Sequence, residues 1–432
     1  MTFMKFYSVL SLLALAVFST HGQTAAVIPQ PIADARDIRA KTFDKVWSTV
    51  NERHYDPSFG GVDWKKVRDL YEPKAMSAGS DRNFHNVLRD MLGELKLSHF
   101  GILPPTAEIV AAQTGRGFVG LSVKMIDGDP VIDRIDIDSP GEKAGLRPGF
   151  TILRIGGKTW GELTQPLKVS LEARKVSDRM QKVYLERTLE SIMNGKPETA
   201  LDLVVFNAKN QTEKFLVNRA AFSGEMSEAL GNFPPQEVVF ESKMLPDNIG
   251  YIRFNMWVIP QMPKLRKAVR KFSDARAIVI DLRGNPGGVG GMAPGLAGLV
   301  SDKKASLGTM KMRSGAMDFI VYPQENPFKG KIVILTDHGS GSTSEVFASG
   351  MQEIQRATVI GTTSAGAVLP SVFEKLPTGA IFQYAISDYR SPKNILLEGR
   401  GVIPDIEAKQ TRIALLAGQD APLDAAVRFI LK

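Results

Sequence analysis

The stretch from residue 331 to residue 345 reads KIVILTDHGSGSTSE, and it decides the interpretation of the chain. Its first six residues are an apolar run typical of a buried strand. A helix is predicted to follow through Val346 towards Glu353. The small hydroxyl residues between Ser340 and Glu345 therefore lie where a strand ends and a helix begins. Hydroxyl oxygens at such a junction stand beside the free N–H groups of the first helical turn, which suits either a serine nucleophile or an ordinary helix cap.

The bulk composition indicates a folded protein of more than one domain. The chain has 432 residues, of which 43% are hydrophobic and 23% charged, so two or three domains with substantial cores are expected. The net charge of +8 is spread along the chain without a long basic run, which argues against nucleic-acid binding. Because the chain contains no cysteine, disulfides and thiolate zinc sites are excluded.

The N-terminus has the pattern of a secretory signal peptide. Lys5 precedes an apolar run from residue 6 to residue 18, and Thr20 and Gly22 are small residues at the positions that a signal peptidase reads. Residues 1–22 are therefore predicted to be a signal peptide that is cleaved off. The protein is then expected to be secreted into the periplasm of a bacterium. An uncleaved anchor is the alternative, although the run is short for a membrane span.

After the predicted signal peptide, three segments differ in the secondary structure that their sequences predict. Residues 30–110 are predicted to be helical because apolar residues recur there at helical spacing, with Ser80 or Asp81 as an N-cap. Residues 112–219 contain short strands broken by glycine. Residues 237–432 alternate strands and helices, which predicts an α/β core with largely parallel strands.

The second segment closely resembles a PDZ domain. Residues 139–158 read SPGEKAGLRPGFTILRIGGK and match the helix, turn and strand of that family in order, although Phe150 stands where the family usually has Asp. The resemblance implies a β-sandwich that binds extended peptides at a sheet edge. It also implies a peptide-binding loop formed by Phe118, Val119, Gly120 and Leu121. The alternative is a generic β-rich insert.

An ordered set of motifs resembles the catalytic core of the C-terminal processing peptidase and tricorn-core family of serine peptidases. The motifs are DLRGNPGG at 281–288, STSE at 342–345, VIG at 359–361 and EGRGVIPD at 398–405. The resemblance implies a multidomain α/β protein with an N-terminal helical bundle, a PDZ β-sandwich and a Clp/crotonase-like α/β catalytic core. It also makes Ser342 the nucleophile, with Ser340 and Ser344 as local competitors.

The family divides by its general base, and this chain departs from one branch. The C-terminal processing branch carries a lysine where Ala367 stands here, and Lys375 and Lys393 lie outside the motif. The tricorn branch instead uses a Ser-His pair near the end of the helical segment and a glutamate late in the core. By this resemblance His99 is the general base, and Ser98 and Glu398 orient it.

Two further assignments complete the expected site. The backbone amides of Thr343 and of Gly287 or Gly288 would hold the oxyanion. His338, with Asp337 beside it, is a rival base, but it is so close to Ser342 in sequence that its ring would struggle to face that hydroxyl.

The sequence therefore predicts a secreted serine endopeptidase that acts on extended or unfolded polypeptides held by its PDZ domain. One alternative is a catalytically inactive peptidase-like module that binds a peptide or an apolar ligand, favoured by the absent lysine. A crotonase-like acyl transferase is a third reading, but it leaves the PDZ segment unexplained. No metal or organic cofactor, nucleic-acid partner or stable membrane span is implied. The sequence is compatible with a homo-oligomer and leaves the oligomeric state open.

Overall fold

The computed structural model describes residues 35–106, 108–109 and 115–432, so the predicted signal peptide lies outside the described residues. Among the described residues, no helix combines the length and the apolar character that crossing a membrane requires. The α-helices are Ala35–Arg53, Trp64–Met76, Asp81–Gly93, Pro140–Lys143, Trp160–Ala173, Asp178–Asn194, Gln261–Lys271, Met292–Val300, Thr343–Glu353, Arg412–Leu416 and Ala421–Leu431. Short 3₁₀ turns are Phe59–Gly61 and Pro246–Asn248.

The C-terminal part is built on one six-stranded sheet. Its first two strands are antiparallel and the remaining neighbours are parallel. The central strand Ala277–Asp281 is buried along its whole length, as its continuous apolar sequence predicts. In order across the sheet, the strands are Phe240–Leu245, Ile249–Phe254, Ala277–Asp281, Lys331–Thr336, Thr358–Gly361 and Ile406–Glu407.

This sheet positions the candidate site. Ala277–Asp281 and Lys331–Thr336 are parallel neighbours, with Asp281 paired to Leu335. The glycine-rich loop 281–288 and the hydroxyl-rich loop 337–342 therefore leave the same edge of the sheet side by side. A separate three-stranded antiparallel sheet covers part of this core, with strands Gly315–Val321, Ala305–Met312 and Asp388–Arg390.

The N-terminal helices pack around one apolar cluster that includes Phe43, Phe84 and Leu88. Ser80 caps the helix Asp81–Gly93, since its side chain accepts a hydrogen bond from the amide of Asn83. A short strand, Gly101–Leu103, then joins an antiparallel sheet of the C-terminal part. This pairing brings the end of the helical segment to the core. The strands of that sheet are Gly101–Leu103, Ile381–Ala385 and Ser371–Lys375.

The middle segment forms its own antiparallel sheet, as the short strands of the sequence predict. The segment also contains two longer helices, Trp160–Ala173 and Asp178–Asn194, which the sequence interpretation did not assign. Thr159 and Ser177 cap them, the first in a capping box with Glu162. The strands in order across the sheet are Leu121–Ile126, Asp129–Ile135, Thr151–Ile155, Ala200–Phe206 and Thr212–Asn218, with Lys158–Thr159 beside Thr151–Ile155 and a separate pair Gly117–Phe118 and Ala220–Ala221.

Candidate active site

Ser342 lies at the junction of loop and helix in a strained backbone conformation. Its φ is 51° and its ψ is −119°, and the helix Thr343–Glu353 begins at the next residue. Such a conformation costs a non-glycine residue on the order of 1–3 kcal/mol, so other contacts must hold it. The amide of Ser342 donates to the carbonyl of Ala367 at 2.8 Å and to the carboxylate of Glu345 at 3.1 Å. These two hydrogen bonds fix the backbone of Ser342 and do not involve its side chain.

The neighbouring serines are already engaged in structural hydrogen bonds. Ser340 donates its hydroxyl to the carbonyl of Leu282 at 2.8 Å. Ser344 donates to the carbonyl of Asn285 at 3.0 Å and accepts from the indole of Trp257 at 2.8 Å. Both are fully buried, whereas Ser342 keeps partial exposure, and its hydroxyl donates no hydrogen bond to any of the described residues. Of the three serines, Ser342 is therefore the one whose hydroxyl proton is not engaged in a structural hydrogen bond.

Glu345 organises the loop opposite Ser342. Its carboxylate accepts hydrogen bonds from the hydroxyl of Ser364 at 2.5 Å and from the amides of Gly366 and Ala367 at 2.8 and 3.0 Å. The side chain is completely buried, and this burial raises the pKa of Glu345 to about 7. One carboxylate therefore ties the segment 364–367 to the backbone of the predicted nucleophile. The motif STSE contains Glu345, but no local pattern in the sequence predicted this function for its side chain.

Glu398, Ser98 and His99 form a hydrogen-bonded relay. Glu398 accepts from the amide of Ser98 at 2.7 Å and from its hydroxyl at 3.0 Å. The hydroxyl of Ser98 is 2.7 Å from Nδ1 of His99. Because Ser98 gives its only proton to Glu398, it accepts from His99, which places the imidazole proton on Nδ1. Nε2 is then the unprotonated nitrogen that a general base requires.

His99 is held as a neutral imidazole. Its φ of 60° places it in the left-handed region, a conformation that the flanking relay supports. Burial lowers the pKa of His99 from 6.5 to about 4, because the imidazolium is disfavoured away from water. Among the described residues, the hydrogen bond of His99 goes to Ser98, and none joins its ring to Ser342.

Two consecutive residues, Ala367 and Val368, connect Ser342 with Glu398. The amide of Val368 donates to Glu398 at 3.0 Å, while the carbonyl of Ala367 accepts from Ser342 at 2.8 Å. A rigid peptide segment thus separates Glu398 from Ser342. Ala367 is buried and touches the predicted nucleophile through its backbone, while Lys375 and Lys393 are exposed.

Of the three residues predicted to bind the oxyanion, two have backbone amides that donate no hydrogen bond among the described residues. The amides of Thr343 and Gly288 have no acceptor within the described part of the chain, whereas that of Gly287 donates to the side chain of Asn285 at 3.0 Å. Gly287 has a φ of 102°, and a Cβ there would lie 2.5 Å from Cβ of Ser342 and 2.9 Å from the nitrogen of Thr343. The glycine-rich loop therefore packs directly against the start of the helix Thr343–Glu353, as the predicted oxyanion hole requires.

The rival base His338 is turned towards the middle segment. Its Nε2 lies 2.6 Å from the carboxylate of Glu186, in the helix Asp178–Asn194. Asp337 accepts from the amides of Gly284 and Gly339 and pairs with Lys124 at 2.6 Å. These contacts hold the loop 337–342 and give Asp337 and His338 a structural function. No local pattern in the sequence indicated Lys124 or Glu186.

Comparison with known proteins identifies two family models that match parts of this chain. Residues 248–408 match the family model of Peptidase family S41, and residues 36–93 match that of the Tricorn protease C1 domain. The first range covers the strands and loops that carry Ser342 and Glu398, and the second ends shortly before His99. Among the described residues, no group of three or more His, Asp or Glu side chains is placed to hold a metal ion.

Two curated relatives and two solved structures illustrate the similarity. The chain is 24% identical to a carboxyl-terminal-processing protease of Synechocystis sp., over 85% of this chain and 80% of that protein. It is 23% identical to the carboxy-terminal processing protease CtpA of Bacillus subtilis, over 70% of this chain and 58% of that protein. The fold is similar to that of the photosystem II D1 C-terminal processing protease, with a TM-score of 0.58, 20% identity and coverage of 91% and 97% of the two chains. It is also similar to mature CPAF, with a TM-score of 0.60, 14% identity and the same coverage.

Proposed function

We propose that this chain, which belongs to peptidase family S41 and is a serine-type peptidase, is a secreted endopeptidase that hydrolyses peptide bonds in extended polypeptides. In this proposal the catalytic site is formed by Ser342, His99, Ser98 and Glu398. The observation that carries the proposal is the relay from Glu398 through Ser98 to His99, combined with the hydroxyl of Ser342, which donates no hydrogen bond among the described residues. With the proton on Nδ1, Nε2 of His99 can accept a proton from a serine hydroxyl.

The proposed reaction is an acyl transfer in two halves. Nε2 of His99 takes the proton of Ser342 while the serine oxygen attacks the peptide carbonyl, and the imidazolium then protonates the departing amine. Water, deprotonated by the same nitrogen, releases the acyl group. The amides of Thr343 and Gly288 stabilise the negative charge on the carbonyl oxygen in both halves.

Movement of the N-terminal helical part towards the core would bring the imidazole of His99 to the hydroxyl of Ser342. His99 precedes the strand Gly101–Leu103, which pairs with Ile381–Ala385, so a small shift of that sheet moves the imidazole relative to Ser342. Hydrogen bonds of apo active sites often tighten only when substrate is bound. Substrate binding is therefore the step proposed to form the contact between Nε2 and the serine hydroxyl.

The middle segment, residues 112–219, is proposed to be a PDZ domain that presents the polypeptide. Two features support this assignment. The loop Phe118–Leu121 contains consecutive amides, those of Val119 and Gly120, that have no acceptor among the described residues, and a strand at the sheet edge, Leu121–Ile126, follows it directly. Free amides beside an edge strand suit the terminal carboxylate of an extended peptide. Residues 1–22 are proposed to be the cleaved signal that exports the protein to the periplasm.

The test is covalent labelling by a fluorophosphonate probe, which reports an activated serine without requiring the natural substrate. Wild-type protein is expected to be labelled at Ser342 and Ser342→Ala is expected to remain unlabelled. Loss of labelling in His99→Ala supports the proposed base. Full labelling of His99→Ala contradicts it, and absence of labelling in the wild type would instead favour a peptide-binding or apolar-ligand-binding module.

A further inference from the structure

The helix Gln261–Lys271 concentrates positive charge on its outer side. Residues 264–271 include five lysine or arginine residues and no acidic residue, whereas the whole chain has 54 basic and 46 acidic residues. Leu265, Ala268 and Val269 are buried against the core and share one side of the helix. The exposed residues on the opposite side, here called the cationic face, are Arg266, Lys267, Arg270 and Lys271.

The cationic face has no counter-ions within the described part of the chain. None of its four side chains forms an ion pair or a hydrogen bond there, whereas Lys264, at its margin, pairs with Glu225. The four residues form two like-charged pairs at a spacing of four, and such pairs destabilise a helix. Negative charge from another molecule would offset this repulsion.

An exposed apolar side chain extends the cationic face at its N-terminal end. Ile259 precedes the helix by two residues and is 56% exposed. Pro263, one turn later, is also exposed, and Arg266 and Arg270 follow at intervals of three and four residues. The backbone is already helical at Pro260, with φ −60° and ψ −17°, so this spacing places Ile259 on the side of the cations. One stripe thus combines an apolar end with a charged body.

This combination fits the surface of an anionic bilayer. Lysine and arginine side chains bind anionic headgroups, while an apolar residue beside them enters the boundary between headgroups and acyl chains. Proteins that bind single-stranded nucleic acids stack the bases on aromatic side chains, and residues 259–271 contain none. Because the buried side of the helix lies opposite the cationic face, all four charges can meet one flat surface at once.

We propose that the cationic face and Ile259 form a docking surface for a membrane that contains anionic phospholipids. The four cations contact the headgroup phosphates, and Ile259 enters the bilayer boundary. Trp257, two residues before Ile259, forms a β-bridge with Gly288, so docking brings the glycine-rich loop near the membrane. Lipid binding requires neither Ser342 nor His99, so this docking surface and the proposed function can fail separately.

The test measures how residues 23–432, the chain without its predicted signal peptide, sediment with lipid vesicles. Mixed vesicles of phosphatidylcholine and phosphatidylglycerol in equal amounts are compared with vesicles of phosphatidylcholine alone. At low salt the mixed vesicles are expected to bind at least about a hundredfold more tightly, since each cation near an anionic surface contributes roughly fivefold. At about 1 M salt, where the Debye length is about 3 Å, this preference should disappear. Equal binding to both kinds of vesicle at low salt would overturn the proposal.

Charge-neutral variants locate the binding. Changing the whole cationic face to glutamine retains good helix formers and should lower the affinity for mixed vesicles by roughly several hundredfold. The matched control removes as many exposed cations without ion pairs from other parts of the surface and should lower the affinity less than about tenfold. The substitutions are Arg266→Gln, Lys267→Gln, Arg270→Gln and Lys271→Gln in the first variant and Lys65→Gln, Arg82→Gln, Lys158→Gln and Lys196→Gln in the control.

Equal losses in the two fourfold variants would show attraction by net charge alone, which contradicts a docking surface. Arg266→Gln with Arg270→Gln should by itself lower the affinity about 25-fold, which keeps the test available if the fourfold variant folds poorly. A double variant that binds mixed vesicles as tightly as the wild type would place the contact elsewhere.

Ile259 separates a membrane from a soluble polyanion. Ile259→Ser should weaken binding to mixed vesicles about tenfold, because the apolar side chain no longer enters the bilayer, and should leave binding to inorganic polyphosphate unchanged. Ile137→Ser, on the middle segment, is the matched control, since Ile137 is 84% exposed and its loss should change neither affinity. Equal weakening of vesicle and polyphosphate binding in Ile259→Ser, or no weakening of vesicle binding, would refute docking on a membrane.

Discussion

Both carboxylate oxygens of Glu398 accept hydrogen bonds from Ser98, although 300 residues separate the two along the chain. One oxygen takes the amide at 2.7 Å and the other takes the hydroxyl at 3.0 Å. The second oxygen also accepts from the amide of Val368 at 3.0 Å. One buried carboxylate therefore sets the position of the helical segment, the tautomer of His99 and the backbone beside Ser342.

Substitution of each serine in the cluster should separate chemistry from support. Ser342→Ala is expected to reduce labelling and peptide hydrolysis by roughly a thousandfold or more, with only a small change in thermal stability because its partly exposed hydroxyl donates no hydrogen bond among the described residues. Ser344→Ala leaves the indole N–H of Trp257 buried without an acceptor and should cost about 1–3 kcal/mol of folding free energy. Labelling kinetics and thermal unfolding distinguish the two. Substantial hydrolysis by Ser342→Ala would exclude it as nucleophile.

The two candidate bases are separated by a matched pair of histidine variants. His99→Ala removes the ring attached to the relay and should lower the rate of labelling by at least a hundredfold. His338→Ala removes a ring that binds Glu186 and should retain most of the reactivity of Ser342 towards a small probe. Initial labelling rates of both variants at pH 7.5 make the comparison. A slower His338→Ala than His99→Ala would reverse the assignment.

The secondary structure near the site was largely readable from local sequence. The strand Lys331–Thr336 has the predicted bounds, because a continuous apolar run leaves little choice of conformation. The helix predicted through Val346 towards Glu353 is observed as Thr343–Glu353. The two longer helices of the middle segment were not predicted, because glycine-broken strand patterns flank them.

The site was predictable only where it follows a motif. The order of motifs predicts Ser342 as the nucleophile, which stays a prediction, and in the structure the hydroxyls of Ser340 and Ser344 are engaged in hydrogen bonds. The contact of His338 with Glu186 depends on how two parts of the chain pack, which no local pattern encodes. The sequence left open whether Gly287 or Gly288 supplies an oxyanion amide, and in the structure the amide of Gly287 donates to the side chain of Asn285, two residues earlier.

The pH profile should reveal the depressed basicity of His99. An unperturbed histidine with a pKa near 6.5 loses its basic form as pH falls through that value. Burial lowers the pKa of His99 to about 4, so the neutral base persists at lower pH, while burial raises the pKa of Glu398 above its usual value. The labelling rate is therefore expected to fall with an inflection below pH 6.

Two controls make the pH profile interpretable. Glu345, whose pKa burial raises to about 7, also titrates in the measured range, so the profile is repeated with Glu345→Gln, which removes that titration. Samples returned from acid to pH 7.5 test whether the protein survived. An acid inflection at 6.5 or above in the Glu345→Gln background would contradict a buried neutral imidazole.

The glycine-rich loop offers the most direct test of the oxyanion hole. Gly287→Ala would place a methyl group 2.5 Å from Cβ of Ser342 and 2.9 Å from the nitrogen of Thr343. The loop must then move away from the nucleophile helix, and its φ of 102° adds strain for alanine. We expect the labelling rate to fall by about a hundredfold or more, in the range seen when one oxyanion donor is lost. Gly291→Ala is the matched control, because its Cβ would meet no atom within 4 Å and its φ of −63° suits alanine. If Gly287→Ala is labelled as fast as Gly291→Ala while both unfold at the wild-type temperature, the loop does not border the reacting carbonyl.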